Sequence, residues 1–202
     1  MWEYNTGTST WDYDNGVVFN FSSPLDSANF LNHAFFVDGV NTNKSRDEDG
    51  NWSETTNLQD SPIAKYIVAD KTKLYLGNIK IRNTWYRSRV WESDFPKNGQ
   101  ITWGIETGSD LVQTSGSAEV TSATATFETN NIKVGDPLTI EDGDNAGEYT
   151  VRTIDSETQL TLTETLSNTV ASSGFWVGGN WFDVNTDDGD VITGFGKNSN
   201  GS

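Results

Sequence analysis

The sequence predicts an all-β protein. Helical periodicity is almost absent, and short runs rich in β-branched and aromatic residues recur about every ten residues between Gly, Asn and Asp. Turn sequences separate these runs, because "DEDGN" at 47 to 51 and "PKNG" at 96 to 99 place Gly or Asn where a positive φ is needed. The chain therefore indicates hairpins of short antiparallel strands.

Each strand is predicted from its own pattern. In the first half, apolar or aromatic runs predict strands at 16–21, 34–38, 64–69, 73–81, 87–93 and 101–104. Further along, "AEVTSATATF", "DPLTIED", "EYTVRTID" and "TQLTLTETL" alternate apolar residues with Thr and charged residues. In the last of these, Leu160 and Leu162 alternate with Thr, as a strand with one buried face requires.

Composition also divides the chain into parts. Residues 109–174 are rich in Thr, Ser and Val and contain no Trp, whereas Trp is frequent before this stretch and returns at Trp176. This predicts a Trp-rich β-domain over 1–108, an inserted Thr-rich small β-module over 109–174, and a return to the first domain over 175–202. The last predicted strand has no following partner strand, so we expect the chain to be part of a longer protein.

Charge and composition exclude several classes of function. The chain has no Cys and a single His33, so it lacks disulfides, Cys-based zinc sites and most histidine metal sites. Its net charge is -16, and residues 109–202 carry 15 acidic but only 3 basic residues. Such a surface repels nucleic acid. No apolar run of about 18 residues is present, so no membrane partner is expected.

One run of the chain is basic. Lys71, Lys73, Lys80, Arg82, Arg87 and Arg89 occur with no acidic residue among them. Alternation along the predicted strand 87–93 places Arg87 and Arg89 on one face and Val90 on the other. We interpret the run as a solvated hairpin face or as an ion-pairing surface against the acidic remainder of the chain.

The same region raises the question of catalysis. Glu92, Asp94 and Glu106 lie close in sequence, and a glycosidase needs a pair of carboxylates. Motifs for phosphate binding, a nucleophile elbow and a catalytic triad are missing. The large rings of Trp85, Trp91 and Trp103 can instead fill a core between sheets. The sequence therefore favours a noncatalytic protein without a cofactor or a small-molecule substrate.

Two acidic turns leave calcium binding open. Asp142 and Asp144 lie in "DGDNAGE", and "DDGD" holds Asp187, Asp188 and Asp190. Clustered oxygen ligands are typical of calcium loops, but neither stretch has the spacing of an EF-hand. Both also fall where tight hairpin turns are expected. The predicted site residues therefore include no metal ligand.

Several segments resemble a known family. "KLYLGNIKIRNTWYRSRVWESDFPKNGQITWG" (73 to 104) and "NWFDVNTDDGDVITGF" (180 to 195) are similar to tail and nozzle-type head-to-tail connector proteins of tailed bacteriophages, which are built on a β-propeller. "FFVDGVNTNKSRDEDGNW" (35 to 52) resembles an earlier blade hairpin. "VGDPLTIEDGDNAGEYTVRTIDSETQLTL" (134 to 162) resembles the small β-barrel or sandwich modules inserted in phage structural proteins.

The resemblance implies a partial β-propeller-like antiparallel domain with such an insertion. It also implies a virion structural protein of the phage tail or neck, assembled in the host cytoplasm. Its partners would be copies of itself and other virion proteins in a ring through which double-stranded DNA passes. A carbohydrate-binding or receptor-binding tail module using exposed Trp and Tyr is the alternative, and a glycosidase-like propeller enzyme is a further one. The structural and interface residues would be Trp85, Arg87, Arg89, Trp91, Asp94, Gly99, Trp103, Gly147, Gly189 and Gly194.

Overall fold

A computed structural model describes residues 2–5, 10–13, 19, 24–54, 57–58, 60–184 and 191–196. Every regular element within these ranges is a β-strand. The all-β fold class predicted from the sequence is therefore confirmed. The described part of the chain accordingly contains no helix long and apolar enough to span a bilayer.

Seventeen strands lie in the described residues. In chain order they are β1 (Trp2–Asn5), β2 (Thr10–Tyr13), β3 (Asp26–Phe30), β4 (His33–Val37), β5 (Lys44–Arg46), β6 (Trp52–Ser53), β7 (Ile63–Ala69), β8 (Leu74–Ile81), β9 (Thr84–Glu92), β10 (Ile105–Gly108), β11 (Val112–Gln113), β12 (Glu119–Thr121), β13 (Pro137–Ile140), β14 (Gly147–Ser156), β15 (Gln159–Leu162), β16 (Phe175–Gly178) and β17 (Trp181–Asp183).

The strands form antiparallel sheets. One four-stranded sheet has the order β3-β4-β5-β6 and another has the order β17-β9-β8-β7, while β1 and β2 form a separate hairpin. The seven-stranded sheet has the order β10-β16-β13-β14-β15-β12-β11. Four-stranded antiparallel sheets are the repeating unit of propellers, which close with about four to eight such blades. The propeller-like part of the fold stays a prediction, because only two such sheets lie in the described residues.

The seven-stranded sheet is open but strongly curled. Its two end strands, β10 and β11, are separated in the chain only by residues 109–111. A flat sheet of seven strands would be about 29 Å wide, whereas the connection from Gly108 to Val112 spans at most about 14 Å. The sheet must therefore curl until its ends approach each other. The small β-module is thus a curled open sheet, and its ends are not paired into a closed barrel.

In the sheet that contains β7, β8 and β9, the alternation of inward and outward side chains shifts by one residue at Asn78. This residue has a φ of 53°, and residues 87–89 of β9 lie opposite it as a bulge, because Gly77 pairs with Val90 but Ile79 pairs with Tyr86. Leu76 before the break and Ile79 after it consequently face the same core, although they are three residues apart. Strict alternation of inward and outward side chains therefore fails at this position in both β8 and β9.

The C-terminal segment 191–196 lies across this break. Ile192 donates its backbone N–H to the Arg87 carbonyl at 3.0 Å, and its own carbonyl accepts from the Asn78 side-chain amide at 3.2 Å. A Cβ atom at Gly77 would lie only 2.7 Å from Cζ of Phe195. Glycine at this position therefore makes the room that the Phe195 ring occupies.

Buried apolar residues form two core clusters. The first draws on both four-stranded sheets, and the second lies inside the curled sheet. Strand β16 belongs to both clusters, because Trp176 packs in the first, while Phe175 and Val177 pack in the second. The division into domains at 108 and 174 stays a prediction, and β10 already belongs to the curled sheet from Ile105 onward.

Two strand predictions need comment. Residues 101–104 were expected to form a strand, but they are irregular, since Gly104 has a φ of 57° and the next strand begins only at Ile105. The apolar side chains of Ile101 and Trp103 reflect burial in the first core instead. The strand predicted at 16–21 lies outside the described residues, except for Phe19, which is not in a strand.

Candidate functional site

The Trp-rich segment 83–104 forms β9, a tight turn and an irregular return toward β10. Lys97 and Gln100 pair across the turn, and Asn98 and Gly99 between them have φ values of 54° and 76°. Two consecutive residues with positive φ are typical of a type I′ turn. The turn expected from "PKNG" is present, and Gly99 forms its exposed tip.

Two of the three tryptophans in this segment belong to the core. Trp91 and Trp103 are both almost completely buried. The Trp91 indole N–H donates to the Trp103 carbonyl at 2.6 Å, and the Trp103 indole N–H donates to the Asn57 carbonyl at 2.9 Å. The Trp91 ring also meets the Trp176 ring edge-on at 6.4 Å between centroids. Neither ring is available as a stacking platform for a sugar.

Trp85 has a different environment. It is partly exposed, and Nζ of Lys65 lies 5.0 Å from the centroid of its ring. A cation this close to an aromatic face is favourable by about 0.5–1 kcal/mol at exposed sites. Of the three predicted tryptophans, only Trp85 therefore keeps an accessible ring.

The two predicted arginines do not share one environment. Arg87 is exposed, whereas Arg89 is buried and forms a bidentate pair with Asp183, with both N···O distances 3.0 Å. The Arg89 guanidinium also lies over the rings of Tyr86 at 4.4 Å and Trp181 at 3.4 Å. The expected division into a core face with Val90 and a charged face with the arginines does not hold, because Arg89 and Val90 are both buried next to the bulge at residues 87–89. Arg89 instead holds β17 against β9.

Asp94 links the irregular return to the curled sheet. Its carboxylate accepts hydrogen bonds from Thr102 at 2.8 Å, from Lys133 at 3.0 Å and from Asn180 at 3.0 Å. Burial alone would raise the pKa of Asp94, but the hydrogen bonds that it accepts bring the pKa below its usual value. The donors are the side chains of Asn131, Thr102, Asn180 and Lys133.

Glu106 makes a second link between the two cores. Its carboxylate accepts from the backbone N–H and the hydroxyl of Thr126, both at 3.0 Å, and from the Asn130 amide at 2.7 Å. Asn130 also donates to Asp60 at 3.0 Å. Burial raises the pKa of Glu106 above its usual value, although the hydrogen bonds from Thr126 and Asn130 oppose this effect. Ionisation of Glu106 is therefore less favourable in the folded chain than in an exposed Glu side chain.

The titration of Glu106 should be visible in the pH dependence of stability. A folded-state pKa above the unfolded value means that the stabilising contribution is complete below the unfolded pKa and is lost as the pH rises through the folded pKa. Gln cannot ionise, so we expect Glu106→Gln to gain stability relative to the native chain as the pH rises above about 4.3, the usual pKa of a Glu side chain. Urea denaturation at a series of pH values measures this difference.

A carboxylate with the opposite shift provides the control. Hydrogen bonds from Thr129 lower the pKa of Glu157, so Glu157→Gln should lose stability relative to the native chain as the pH rises. A difference for Glu106→Gln that stays constant or falls with rising pH would contradict a folded-state pKa of Glu106 above its usual value.

Half of the basic run is ion-paired with acidic residues. Lys73 pairs with Glu92 at 2.8 Å, and Arg82 pairs with Glu141 of the module at 2.6 Å. Arg89 pairs with Asp183, as described above. For these three bases the structure agrees with the ion-pairing interpretation of the run.

The remaining predicted positions have structural surroundings of their own. Gly147 begins β14, and Gly194 lies in open space in segment 191–196. Gly189 lies outside the described residues, as do the acidic positions 187, 188 and 190. Asp142 accepts the Gly174 N–H at 3.0 Å. In the ranges that the structure describes, no group of three or more His, Asp or Glu side chains is placed to hold a metal ion.

Strand β17 carries exposed apolar side chains that the sequence analysis does not single out. Strand β17 is the edge of its sheet, and Phe182 within it and Val184 directly after it are 49% and 61% exposed. The sequence signal was "WFDV" at 181–184, where large side chains occupy both faces of one strand.

Comparisons with known proteins add little to this geometry. No protein family model and no curated protein matches the chain. Among solved structures, "Phage phi92 endosialidase" is similar, with a TM-score of 0.30 and 15% sequence identity. The likeness covers 78% of this chain and 28% of that chain, so this chain spans less than a third of the neighbour's length. A TM-score this low carries no argument about fold or function.

Proposed function

We propose that the chain is a noncatalytic structural protein of a phage virion, a subunit of a tail or head-to-tail connector ring that forms part of the DNA conduit. The proposal starts from the resemblance of residues 73–104 and 180–195 to such proteins. One observation supports it further: the charged and aromatic side chains in and around segment 83–104 hold the two cores together. Their contacts join residues that are far apart in the sequence, and these contacts stabilise the fold.

The environments of the acidic residues support a noncatalytic role. A glycosidase needs two carboxyl groups that are free to reach the glycosidic bond. Here Glu92 is paired with Lys73, while Asp94 and Glu106 accept hydrogen bonds from several protein donors. Each of these three carboxylates is thus bound to protein donors that stabilise the fold.

The overall charge suits a conduit for DNA. The chain carries a net charge of -16, and a surface of this sign repels the phosphates of a passing duplex. Repulsion would keep DNA from adhering to the wall during ejection. The ring would thus guide DNA without binding it.

Electron microscopy of the particle that contains the chain tests the proposal. We expect copies of the chain in a ring around an axial channel in the tail or neck. A position of the chain away from an axial channel, or an assembly without a ring, would contradict the proposed function. Hydrolysis of glycans by the purified chain that is lost in Asp94→Asn would contradict the noncatalytic part.

A glycan-binding tail module is a second candidate, and one observation favours it. An open depression of about 510 Å³ lies at the β3–β4 hairpin, where the side chains of Phe30, Phe36, His33, Arg46 and Asp47 line it. Aromatic rings beside amide, guanidinium and carboxylate groups are what a sugar-binding site requires. Binding of the purified chain to a glycan array would favour this candidate.

A further inference from the structure

We propose that one face of the sheet that contains β7, β8 and β9 binds an acidic sugar, a single sugar unit that carries a carboxylate. Trp85 stacks against the sugar ring, and Lys65 and Lys80 bind its negative charge. We call Trp85, Lys65, Lys80 and Ile63 the Trp85 face. It shares no described residue with the depression at the β3–β4 hairpin, and it does not depend on the proposed ring function.

The strand register places three members of the Trp85 face side by side. Trp85 on β9 lies directly opposite Lys80 on β8, and Lys80 lies directly opposite Ile63 on β7. Residues directly opposite in an antiparallel pair share a face, with Cβ atoms about 4.5–5.5 Å apart. Ile79 and Ile81, the neighbours of Lys80 in the strand, are buried in the first core. The row therefore lies on the other side of the sheet, away from this core.

A direct contact adds Lys65 to the row. Its Nζ lies 5.0 Å from the centroid of the Trp85 ring, although β8 lies between the strands of these two residues. The side chain of Lys65 therefore crosses β8 on the same side of the sheet as Trp85. Two lysines thus lie beside one indole ring that remains partly exposed.

Neither lysine has an anionic partner in the part of the chain that the structure describes. The ion pairs found there join other bases to carboxylates. Lys80 thus belongs to the half of the basic run that is not ion-paired. Two like charges beside one ring repel each other, and an anion bound between Lys65 and Lys80 relieves this repulsion. The face is therefore charged to receive a negative group.

Arg87 is not counted in the Trp85 face. It is exposed on the same strand, but the backbone N–H of Ile192 donates to its carbonyl at 3.0 Å. The acidic positions 187, 188 and 190 precede Ile192 in the sequence, so we assign no unbalanced positive charge to Arg87. The charge of the face comes from Lys65 and Lys80.

An open depression adjoins the same row. Its volume is about 210 Å³, and the described residues that line it include Ile63, Lys80, Asp60, Ser61 and Thr107. Pockets for drug-sized ligands measure about 300–1,000 Å³, so this depression accommodates a smaller group, of the size of one sugar unit. Hydroxyl and carboxylate oxygens accept hydrogen bonds from sugar hydroxyls. A sugar beside Trp85 therefore has polar partners next to the lysines.

The net charge of -16 favours a small anion over a long polyanion. Exposed charges more than about 10 Å apart are largely screened at an ionic strength of about 0.1 M, so a single carboxylate responds mainly to the two lysines beside it. A nucleic acid strand extends beyond this distance and meets the acidic remainder of the chain, which repels it. The indole ring adds an apolar platform for the C–H face of a sugar. Together these features select an acidic sugar unit.

NMR titration of the purified chain tests the site. The Trp85 indole N–H resonance is assigned by its absence from Trp85→Ala, and it should shift on addition of methyl β-glucuronide. The neutral methyl β-glucoside has a hydroxymethyl group in place of the carboxylate, so we expect it to bind about tenfold more weakly. The ring resonances of His33, the single His of the chain, report separately on the depression at the β3–β4 hairpin.

Variants assign the binding to named side chains. Lys65→Gln, Lys80→Gln should bind methyl β-glucuronide no better than methyl β-glucoside. The matched control Lys71→Gln, Lys97→Gln has the same net charge and changes two exposed lysines at the other end of the strands, so it should keep the native affinity.

The aromatic platform has its own pair of variants. Saturation transfer from protein to methyl β-glucuronide should disappear in Trp85→Ala and persist in Trp85→Phe, which keeps an aromatic ring. Far-ultraviolet circular dichroism checks that both variants fold. Equal saturation transfer in the two variants would overturn the role of Trp85 as the platform.

Four further results would overturn the proposal. They are no shift of the Trp85 resonance at millimolar methyl β-glucuronide, a shift at His33 in its place, equal affinities of the two double-lysine variants, and binding of inorganic sulfate as tight as that of the glucuronide. Tighter binding of a single-stranded oligodeoxynucleotide would identify a nucleic-acid site and overturn the proposal as well.

Discussion

Replacing Trp91 by alanine is expected to lower the free energy of unfolding by about 3–5 kcal/mol. The side chain is completely buried, packs edge-on against Trp176 and donates its indole N–H to the Trp103 carbonyl. The substitution leaves a cavity and an unsatisfied buried carbonyl, and both are costly. Urea denaturation followed by far-ultraviolet circular dichroism measures the loss without depending on Trp fluorescence.

Trp85→Ala is the matched control for this experiment. It removes the same side chain from the same strand, but Trp85 is partly exposed and contacts Lys65 at the surface. The expected loss is about 1 kcal/mol. Equal losses for the two variants would contradict the assignment of Trp91 to the core and of Trp85 to the surface.

Replacing Asp183 by alanine is expected to lower the free energy of unfolding by about 3 kcal/mol. The change leaves the Arg89 guanidinium buried between Tyr86 and Trp181 without its bidentate partner. An uncompensated buried charge is strongly destabilising. Because Asp183 lies in β17, the loss should also release this strand from β9, which faster hydrogen exchange of the backbone amides of residues 181–184 would reveal.

Two variants separate this effect from the loss of any ion pair. Glu92→Ala breaks the less buried pair with Lys73 and should cost less than about 1 kcal/mol. The double variant Arg89→Met, Asp183→Leu replaces both charges by apolar groups and should recover much of the stability lost in Asp183→Ala. If Asp183→Ala costs no more than Glu92→Ala, Arg89 does not hold β17 in place.

Local patterns were sufficient to predict the fold class and several turns. Alternation in "TQLTLTETL" placed Leu160 and Leu162 on one buried face, and both are completely buried. The Asn-Gly of the 96–99 turn predicted positive φ values, which Asn98 and Gly99 adopt. These features depend on residues close in sequence, and the sequence contains that information directly.

The break at Asn78 leaves a signal in the sequence. In "LYLGNIKI" the buried apolar side chains are Leu74, Leu76, Ile79 and Ile81, a spacing of two, three and two that ordinary alternation does not allow. Gly-Asn at the irregular step is typical of a bulge or a left-handed residue. The break also shifts the register of β9, where Arg89 and Val90 are both buried although they are neighbours in the strand.

The connections between the two cores could not be predicted from local patterns. Asp94 bonds to Lys133, 39 residues away, and Arg82 bonds to Glu141 of the module. A chain with 29 acidic residues offers many equivalent partners for each base. Only the curled sheet, which brings distant strands together, selects among them.

Strand β16 also limits how the chain can change through evolution. Trp176 points into one core, while its neighbours Phe175 and Val177 point into the other. A mutation in this strand must satisfy two packing environments at once, and a size change that one core tolerates also shifts the backbone that supports the other. The exposed turns of the module can accept new side chains far more freely. Variation among related chains would therefore concentrate in the turns, with β16 as the fixed boundary between two otherwise separately evolving halves.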